Sequence, residues 1–346
     1  MDNISGKRIL FFCTKFFSYY EYIQRELLYL GASYVKFVES PNFSESPRKF
    51  NSHEHSLAFL YFYLKNPSYR TKWTNELIYE IKGEQFDILF CVADVPFKYF
   101  FFEEIKKSNP CIKTYLFLWD KLSVQRVPEK IIQAFDYKFS FDRDDCLMIN
   151  GLEYLPDFYL NFDDIDDTDI KYDVCIIATL TDAKRGEISM ALDNFCKRNG
   201  LSSYIYLLSR KNVYKKNIFK RYYGRFLRRK IIKFLEKPGN NKFVHSEGLT
   251  AEEVELIQNQ SRCIFDFGYR GRQGLTLNAI AALAKGKKLI TSNDRIKNEN
   301  FYNSQNIYIY DYENPLFDLR FFKAPPVPID MTFLRLDNWL KYILNR

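Results

Sequence analysis

One stretch of the chain, residues 263–293, has the pattern of a strand, a glycine-rich loop, a helix and a second strand. Cys263–Phe267 is apolar, a helix is predicted to begin at Thr276, and Gly286 precedes a strand over Lys287–Thr291. The start of a helix carries a partial positive charge and unpaired N–H groups, and arginine adds planar paired donors. The stretch therefore predicts a phosphate or diphosphate site, or else an ordinary strand–helix–strand turn with surface arginines. The loop residues that carry this prediction are Gly268, Arg270, Gly271, Arg272 and Gly274.

Length and composition indicate a globular protein of two domains. The chain has 346 residues, of which 47% are apolar, and no run of residues is long and uncharged enough to span a membrane. The seven cysteines are scattered without a CxxC pair, and the charged first residues do not resemble a signal peptide. We therefore expect buried thiols in a reducing cytoplasm. Three histidines make a zinc site improbable, although His53 and His55 are spaced to bind a metal weakly.

The first half of the chain alternates between apolar strands and helices. Ser18 and Glu21 form a possible capping box for the first helix, which Gly31 ends. Because the strands are apolar throughout rather than alternating, they predict a parallel sheet covered on both faces. The predicted strands are Lys7–Cys13, Val35–Val38, Phe86–Val92, Thr114–Leu118 and Tyr137–Phe141, and the predicted helices are Tyr19–Leu30, Trp73–Lys82, Lys98–Lys107 and Glu129–Phe135.

The second half repeats this alternation after an acidic linker, residues 161–171. Thr250 and Glu253 predict a second capping box, and Lys184 and Arg185 are placed in a loop after the first strand. Asp164 and Asp166 resemble a metal-binding Asp-x-Asp pair, but no strand precedes them. The predicted strands are Asp173–Ala178, Ser203–Leu208, Lys242–His245, Cys263–Phe267, Lys287–Thr291 and Ile307–Tyr310, and the predicted helices are Glu187–Arg198, Ala251–Gln260, the helix from Thr276 and Leu336–Leu344.

The resulting fold class is α/β, with two Rossmann-like parallel-sheet domains on either side of a cleft. The predicted domains are residues 1–160 and 172–328, followed by a C-terminal helical segment, 329–346. Ligands of such sheets bind at the carboxyl ends of the strands. Three groups of residues fall there: Asp120, the pair Lys184 and Arg185, and the Gly/Arg loop.

Positive charge is concentrated in an insert, residues 210–237, which holds twelve lysines and arginines against one glutamate. Its local charge of +11 exceeds the +8 of the whole chain, so the remaining residues carry −3. Aromatic residues recur through it at helical spacing, which is typical of an amphipathic helix on an anionic membrane. A charged outer face of a core helix is the main alternative, and no recognised nucleic-acid motif accompanies the charge. The residues expected to contact the membrane are Lys220, Arg221, Arg225, Arg228, Arg229 and Lys233.

Several blocks of the chain match a known family in their order and spacing: 7–31, 115–120, 139–144, 155–159, 272–276 and 286–293. Together they resemble bacterial surface-polysaccharide glycosyltransferases of the capsule and lipopolysaccharide type, which have the GT-B architecture and are related to spore-maturation glycosyltransferases. The resemblance implies a nucleotide-sugar donor bound by the C-terminal half and a glycan or lipid-linked acceptor bound by the N-terminal half. It also implies a C-terminal helix that crosses back to the N-terminal domain, no cofactor and no obligatory metal.

The resemblance suggests a role for each candidate residue. Asp120, after a buried strand and Trp119, is the expected general base, or else a turn aspartate. Similar enzymes often carry a glutamate where this chain has Ala281, so ribose would be held by Glu247 or Asp266, or the donor differs. The expected donor residues are Lys184, Arg185, Asp266, Arg270, Arg272, Gly274, Leu275, Thr276 and Glu247, and the expected acceptor residues are Tyr19, Tyr20 and Phe97.

Two other classes of protein fit the same pattern. One is a nucleotide-sugar epimerase or polyol-phosphate transferase, against which the small number of histidines argues. The other is a non-catalytic subunit or scaffold at the membrane, which the basic insert and Ala281 would favour. The expected location is the cytoplasmic face of the cell membrane.

Overall fold

A computed structural model shows two parallel β-sheets of six strands each. It describes residues 4–15, 18–40, 68–92, 95–125, 127–160, 169–209, 230–236, 239–268 and 274–346. Within these residues the N-terminal sheet has the strand order β2-β1-β3-β4-β5-β6, and the C-terminal sheet has the order β12-β11-β10-β7-β8-β9. Every pairing between neighbouring strands is parallel, as the continuous apolar runs predicted.

The N-terminal sheet is covered by helices on both faces. Its strands are β1 (Arg8–Cys13), β2 (Tyr34–Glu39), β3 (Ile88–Val92), β4 (Lys113–Leu118), β5 (Tyr137–Ser140) and β6 (Glu153–Tyr154). Its helices are α1 (Tyr19–Tyr29), α2 (Ser68–Glu80), α3 (Phe100–Ser108), α4 (Leu122–Gln125), α5 (Glu129–Ile132) and α6 (Arg143–Met148). All five residues of β3 are buried, which is why its sequence shows no polar alternation.

The C-terminal sheet is built in the same way. Its strands are β7 (Tyr172–Thr179), β8 (Ser203–Leu208), β9 (Val244–His245), β10 (Ser261–Asp266), β11 (Lys288–Thr291) and β12 (Ile307–Ile309). Its helices are α7 (Ala183–Arg198), α8 (Ala251–Asn259), α9 (Leu277–Ala284) and α10 (Leu319–Lys323), and a 3-10 turn covers Asp294–Asn298. Residues 230–235 are also helical.

Three local predictions are wrong. Ser18 has a left-handed backbone (φ 58°) and makes no capping hydrogen bond, and Glu21 instead accepts a hydrogen bond from the Tyr20 hydroxyl. Lys184 and Arg185 lie in the first turn of α7 rather than in a loop, because Asp182 caps that helix by accepting the Arg185 N–H. The first two residues of the predicted strand Lys242–His245 belong to a 3-10 turn, and only the last two join the sheet.

The C-terminal helix α11 (Leu336–Leu344) packs on the N-terminal sheet, as predicted. Its Trp339 is fully buried against Phe117, Phe158 and Phe90, with ring centroids 4.7, 4.9 and 6.5 Å away. The indole N–H donates to the Pro156 carbonyl oxygen over 3.0 Å, so the polar atom of the ring is satisfied in the core. The chain therefore leaves the N-terminal domain once and returns to it at its end.

Several predictions fall on residues outside the described ranges. They include most of the acidic linker, both aspartates of the Asp-x-Asp pair, the two histidines at 53 and 55, and most of the basic insert. The domain boundaries at 160 and 172 stay a prediction. Across the described ranges, no helix combines the length and the apolar character that a membrane crossing needs.

We predict that Trp339→Ala lowers the free energy of unfolding by about 3–5 kcal/mol, because it removes the largest side chain of a closed aromatic core. Denaturant unfolding followed by fluorescence of the remaining tryptophans measures this change. Tyr29→Ala removes an aromatic ring that is 85% exposed on α1 and should shift stability by less than about 0.5 kcal/mol. Equal effects of the two substitutions would contradict the packing of α11.

Candidate functional site

The carboxyl ends of the two sheets face each other. Phe141, which follows β5, lies against Gly274, which precedes α9: a Cβ atom at Gly274 would come within 2.2 Å of the Phe141 ring and 2.7 Å of its carbonyl oxygen. Only glycine permits this approach. The Phe141 N–H donates to the Leu118 carbonyl oxygen over 3.3 Å, so the end of β4 lies beside the same contact. Residues after β4, β5, β10 and β11 therefore border one space between the sheets.

Asp266, the last residue of β10, organises the C-terminal side of this space. Its carboxylate accepts hydrogen bonds from the Gly268 N–H (3.0 Å), the Thr276 hydroxyl (3.2 Å) and the Thr291 hydroxyl (3.4 Å). Burial raises the pKa of Asp266, and these donors together with the nearby Arg185 charge oppose the rise. Asp266 thus joins the ends of β10 and β11 to the start of α9.

The start of α9 lies beside Asp266, which accepts a hydrogen bond from the Thr276 hydroxyl. Thr276 is the N-cap of α9, one residue before the helix proper, and the Thr276 hydroxyl accepts the Ala279 N–H over 3.0 Å. The first turn of a helix leaves further N–H groups without intrahelical partners and concentrates the positive end of the helix dipole. Leu275, in contrast, is only 3% exposed, so its side chain belongs to the core.

Arg185 lies near Asp266, although it comes from a different strand–helix connection. Its guanidinium donates to the Thr179 carbonyl oxygen over 3.0 Å and lies 5.0 Å from the centroid of the Phe267 ring. These two contacts hold a positive charge at the carboxyl ends of β7 and β10. The neighbouring Lys184 has a different partner: its ammonium donates to the Glu313 carbonyl oxygen over 2.7 Å.

Glu247 lies apart from this cluster, whereas Ala281 lies within α9. Glu247 is exposed after β9, which is separated from β10 by β7 and β8, and its carbonyl oxygen accepts the Tyr206 hydroxyl. With strands about 4.8 Å apart, three steps place it about 14 Å from the end of β10. Arg270 and Arg272 lie outside the described residues.

Asp120 borders the same space from the N-terminal side. It lies two residues beyond β4, is half-buried, and accepts the Lys121 N–H over 2.9 Å. The Lys121 ammonium is 3.4 Å from an Asp144 carboxylate oxygen, which ties this turn to α6. Trp119, next to Asp120, contacts the ring of Tyr19 at a centroid distance of 5.4 Å.

The three expected acceptor residues have different environments. Tyr19 packs among aromatic rings beside Trp119, and its pKa is raised by burial and by the nearby Asp157 charge. Tyr20 stacks on Phe37 at 4.7 Å. Phe97 is fully buried against Phe12 and Phe101, so the expectation that its ring stacks on an acceptor sugar is wrong.

The end of the basic insert packs into the C-terminal domain. In residues 230–235, Ile231 and Phe234 are buried, while Lys233 is exposed. The Phe234 ring occupies the place where a Cβ atom at Gly186 would stand. These two apolar residues therefore belong to a core helix, as the alternative interpretation held, and not to a membrane-facing stripe. The other five residues expected to contact the membrane lie outside the described ranges.

Sequence reasoning missed four residues that border the space between the sheets. Tyr310 follows β12 and is buried near Asp266, and burial raises its pKa above the ordinary range. Its position at the carboxyl end of a predicted strand could have marked Tyr310 as a candidate site residue. Arg143, Tyr154 and Glu299 form a contact between the two halves, described below, and no local pattern marks them.

In the described part of the chain, no three His, Cys, Asp or Glu side chains come together as metal ligands would. No protein-family model and no curated protein sequence matches the chain.

Solved structures do match over nearly the full length. The N-terminal domain of Candida albicans trehalose-6-phosphate phosphatase has a TM-score of 0.59 at 9% identity, over 99% of this chain and 96% of that one. UDP-GlcNAc 2-epimerase from Methanocaldococcus jannaschii has a TM-score of 0.51 at 11% identity, over 98% and 99%. Sucrose-phosphate synthase from Thermosynechococcus elongatus has a TM-score of 0.50 at 11% identity, over 98% and 90%. With the two parallel sheets, these similarities confirm the GT-B-like fold predicted from the sequence.

We predict that Asp266 titrates above its ordinary pKa of 3.8. Between 3.8 and the raised value, the folded state binds more protons than the unfolded state, so this residue stabilises the fold increasingly as pH falls. The unfolding free energy of the wild type, minus that of Asp266→Asn, should therefore grow as pH is lowered from 7 toward 4.

Asp318 is the matched control with the opposite sign. Its hydrogen bonds with Arg320 lower its pKa, so the corresponding difference for Asp318→Asn should stay flat down to about pH 4 and shrink below it. If the difference in unfolding free energy between the wild type and Asp266→Asn also shrinks as pH falls, burial does not set the direction of the Asp266 pKa shift.

Proposed function

We propose that this chain is a glycosyltransferase that moves a sugar from a nucleotide-sugar donor to an acceptor, without an obligatory metal. One observation carries the proposal: Arg185 and the start of α9 share a sheet edge with Asp266, and this edge faces the edge that bears Asp120. Glycosyl transfer needs a cationic site for the departing diphosphate and a base for the acceptor hydroxyl. We assign the cationic site to the edge with Arg185 and α9, and the base to the edge with Asp120.

The donor diphosphate is assigned to the C-terminal side. Arg185 offers a planar pair of donors, and the first turn of α9 offers backbone N–H groups and the positive end of its dipole. The Asp266 carboxyl group already accepts hydrogen bonds from three donors of its own chain. It orders the site and does not serve as a phosphate ligand. Arg270 and Arg272, from the sequence of the same loop, complete the proposed cationic set.

The acceptor is assigned to the N-terminal side, beside Asp120. The half-buried Trp119 and Tyr19 form an aromatic surface next to the carboxylate. Aromatic faces suit the apolar faces of sugar rings, and a carboxylate can accept a proton from a hydroxyl group. A glycan or lipid-linked glycan of a surface polysaccharide is the proposed acceptor class.

The names of the matching structures support a nucleotide-sugar ligand. One is an epimerase of UDP-GlcNAc, and another is a synthase of a sugar phosphate. Similarity to the epimerase also favours a second candidate, a nucleotide-sugar epimerase on the same fold. A chain that interconverts UDP-GlcNAc with an epimer in the absence of any acceptor would be an epimerase, and nuclear magnetic resonance of the sugar detects that product directly.

We predict that one member of the panel UDP, GDP, CMP and TDP binds in the presence of EDTA. Arg185→Ala should weaken that binding at least about tenfold, because it removes a charge-assisted pair of hydrogen bonds. Isothermal titration calorimetry measures both effects. Arg320→Ala removes an arginine whose side chain is 92% exposed and should leave the affinity unchanged. Unchanged affinity after Arg185→Ala together with Arg272→Ala, or a strict requirement for Mg²⁺ or Mn²⁺, would rule out this donor site.

We predict that Asp120→Asn lowers turnover at least about a hundredfold and leaves nucleotide affinity nearly intact, since the amide cannot accept the proton. Release of the nucleoside diphosphate under saturating donor and acceptor measures turnover. Asp311→Asn changes an exposed carboxylate just beyond β12 and is the matched control. Retention of more than about a third of the wild-type rate by Asp120→Asn would make Asp120 structural.

We further propose that the basic insert binds the chain to the inner face of the cell membrane through its charge. Because Ile231 and Phe234 are buried, attraction to anionic lipids is the expected force, and it weakens with salt. Co-sedimentation should therefore require anionic vesicles and low salt. Changing Arg225, Arg228, Arg229 and Lys233 to Ser should abolish it, and changing the exposed Lys82, Lys171, Lys297 and Lys323 to Ser should not. Equal sedimentation with neutral vesicles would exclude electrostatic binding.

A further inference from the structure

Glu299 joins the two halves of the molecule through one carboxylate oxygen. It follows the 3-10 turn after β11, and its side chain is 5% exposed. Its Oε1 accepts hydrogen bonds from Arg143 Nη2 (3.0 Å), from Arg143 Nε (3.3 Å) and from the Tyr154 hydroxyl (2.7 Å). Arg143 begins α6 and Tyr154 ends β6, so both partners belong to the N-terminal half.

The two partners of Glu299 also contact each other. The Arg143 guanidinium lies 3.6 Å from the centroid of the Tyr154 ring, and its Nη2 also approaches the Asn298 carbonyl oxygen at 3.4 Å. Burial and the Glu299 charge raise the pKa of Tyr154, which keeps the phenol protonated as a donor. The buried Glu299 carboxylate oxygen therefore receives its three side-chain hydrogen bonds from across the boundary between the halves.

Even a small displacement of one half relative to the other would weaken the hydrogen bonds to Glu299. A shift of one or two ångströms would lengthen all three hydrogen bonds before water could enter and replace them. Because hydrogen bonds weaken steeply with distance and angle, this contact favours one relative position of the two halves.

A second contact lies beside the first. Phe141, two residues before Arg143, abuts Gly274, and the Gly274 carbonyl oxygen accepts a hydrogen bond from the Asn293 amide over 3.1 Å. The loops after β10 and β11 thus both rest on the segment that follows β5. That segment borders the end of β4, beyond which Asp120 lies.

We propose that Glu299 is a positioning residue, which holds the edge bearing Arg185 and α9 at a fixed distance from the edge bearing Asp120. Its importance for turnover rests on the proposed function. Its effect on the arrangement of the two halves does not.

The experiment uses the full chain with Glu299→Gln, which keeps the shape of the side chain and removes its charge. Hydrogen–deuterium exchange is followed in peptides spanning Phe141–Met148 and Leu277–Ala284, which lie on opposite sides of the contact. We expect exchange at least tenfold faster in both peptides. The affinity for the nucleotide of the panel that binds should change less than threefold, and release of the nucleoside diphosphate under saturating donor and acceptor should be at least tenfold slower. Glu299→Asp restores the charge at a shorter reach, so it should recover part of the protection.

The matched control is Glu104→Gln, which breaks an exposed pair with Lys107 (2.6 Å) inside one helix and should change none of these readouts. Should Glu299→Gln fail to fold, Tyr154→Phe removes only one hydroxyl and should show the same changes at smaller size. Exchange in both peptides equal to that of the control variant would overturn the proposal. If no member of the panel UDP, GDP, CMP and TDP is bound by any variant, the proposed function fails, and the exchange data alone still decide whether Glu299 sets the arrangement.

Discussion

Burial of Trp339 in the N-terminal sheet is the interaction on which the arrangement of the two domains depends. The Trp339 ring is enclosed by three phenylalanines, and its N–H donates to the Pro156 carbonyl oxygen. These contacts fix the position at which α11 packs on the sheet. Because α11 ends a chain that has already built the C-terminal sheet, its return connects the domains a second time. Two connections, together with the contacts of Glu299 and Gly274, keep the carboxyl ends of the sheets opposite each other.

This arrangement explains why a positively charged sheet edge and a sheet edge that bears a carboxylate border the same space. Parallel strands place the positive ends of the following helices and the polar residues after each strand at the same edge. In the C-terminal sheet, Arg185 and the start of α9 make that edge suitable for an anion, and the buried Asp266 orders it. In the N-terminal sheet, Asp120 and Trp119 make the facing edge suitable for a hydroxyl-bearing ligand.

Features encoded locally were predictable from the sequence. The bounds of β8 and α11 agree with prediction because apolar residues and flanking polar residues mark both ends. The capping box of Thr250 and Glu253 is present because both hydrogen bonds lie within one turn. Ser18 failed as a cap because its left-handed backbone turns the side chain away from the helix start.

Features set by distant packing were not predictable. Phe97 follows β3 in the sequence as a site residue would, yet neighbouring helices enclose it. Arg143 and Glu299 are 156 positions apart, and only the tertiary fold shows that they pair. Phe234 occupies the space above Gly186, so a residue of an apparently membrane-facing stripe belongs to the core.

A crystal structure of the chain grown with the member of the panel UDP, GDP, CMP and TDP that binds most tightly would locate the donor site, because it shows the ligand instead of inferring its position from affinity. We expect diphosphate oxygens within hydrogen-bonding distance of the Arg185 guanidinium and of the first-turn N–H groups of α9, with the sugar side of the diphosphate open toward Asp120. A nucleotide bound away from the carboxyl ends of β7 and β10, or an empty space between the sheets with all four nucleotides at saturating concentration, would exclude this donor site.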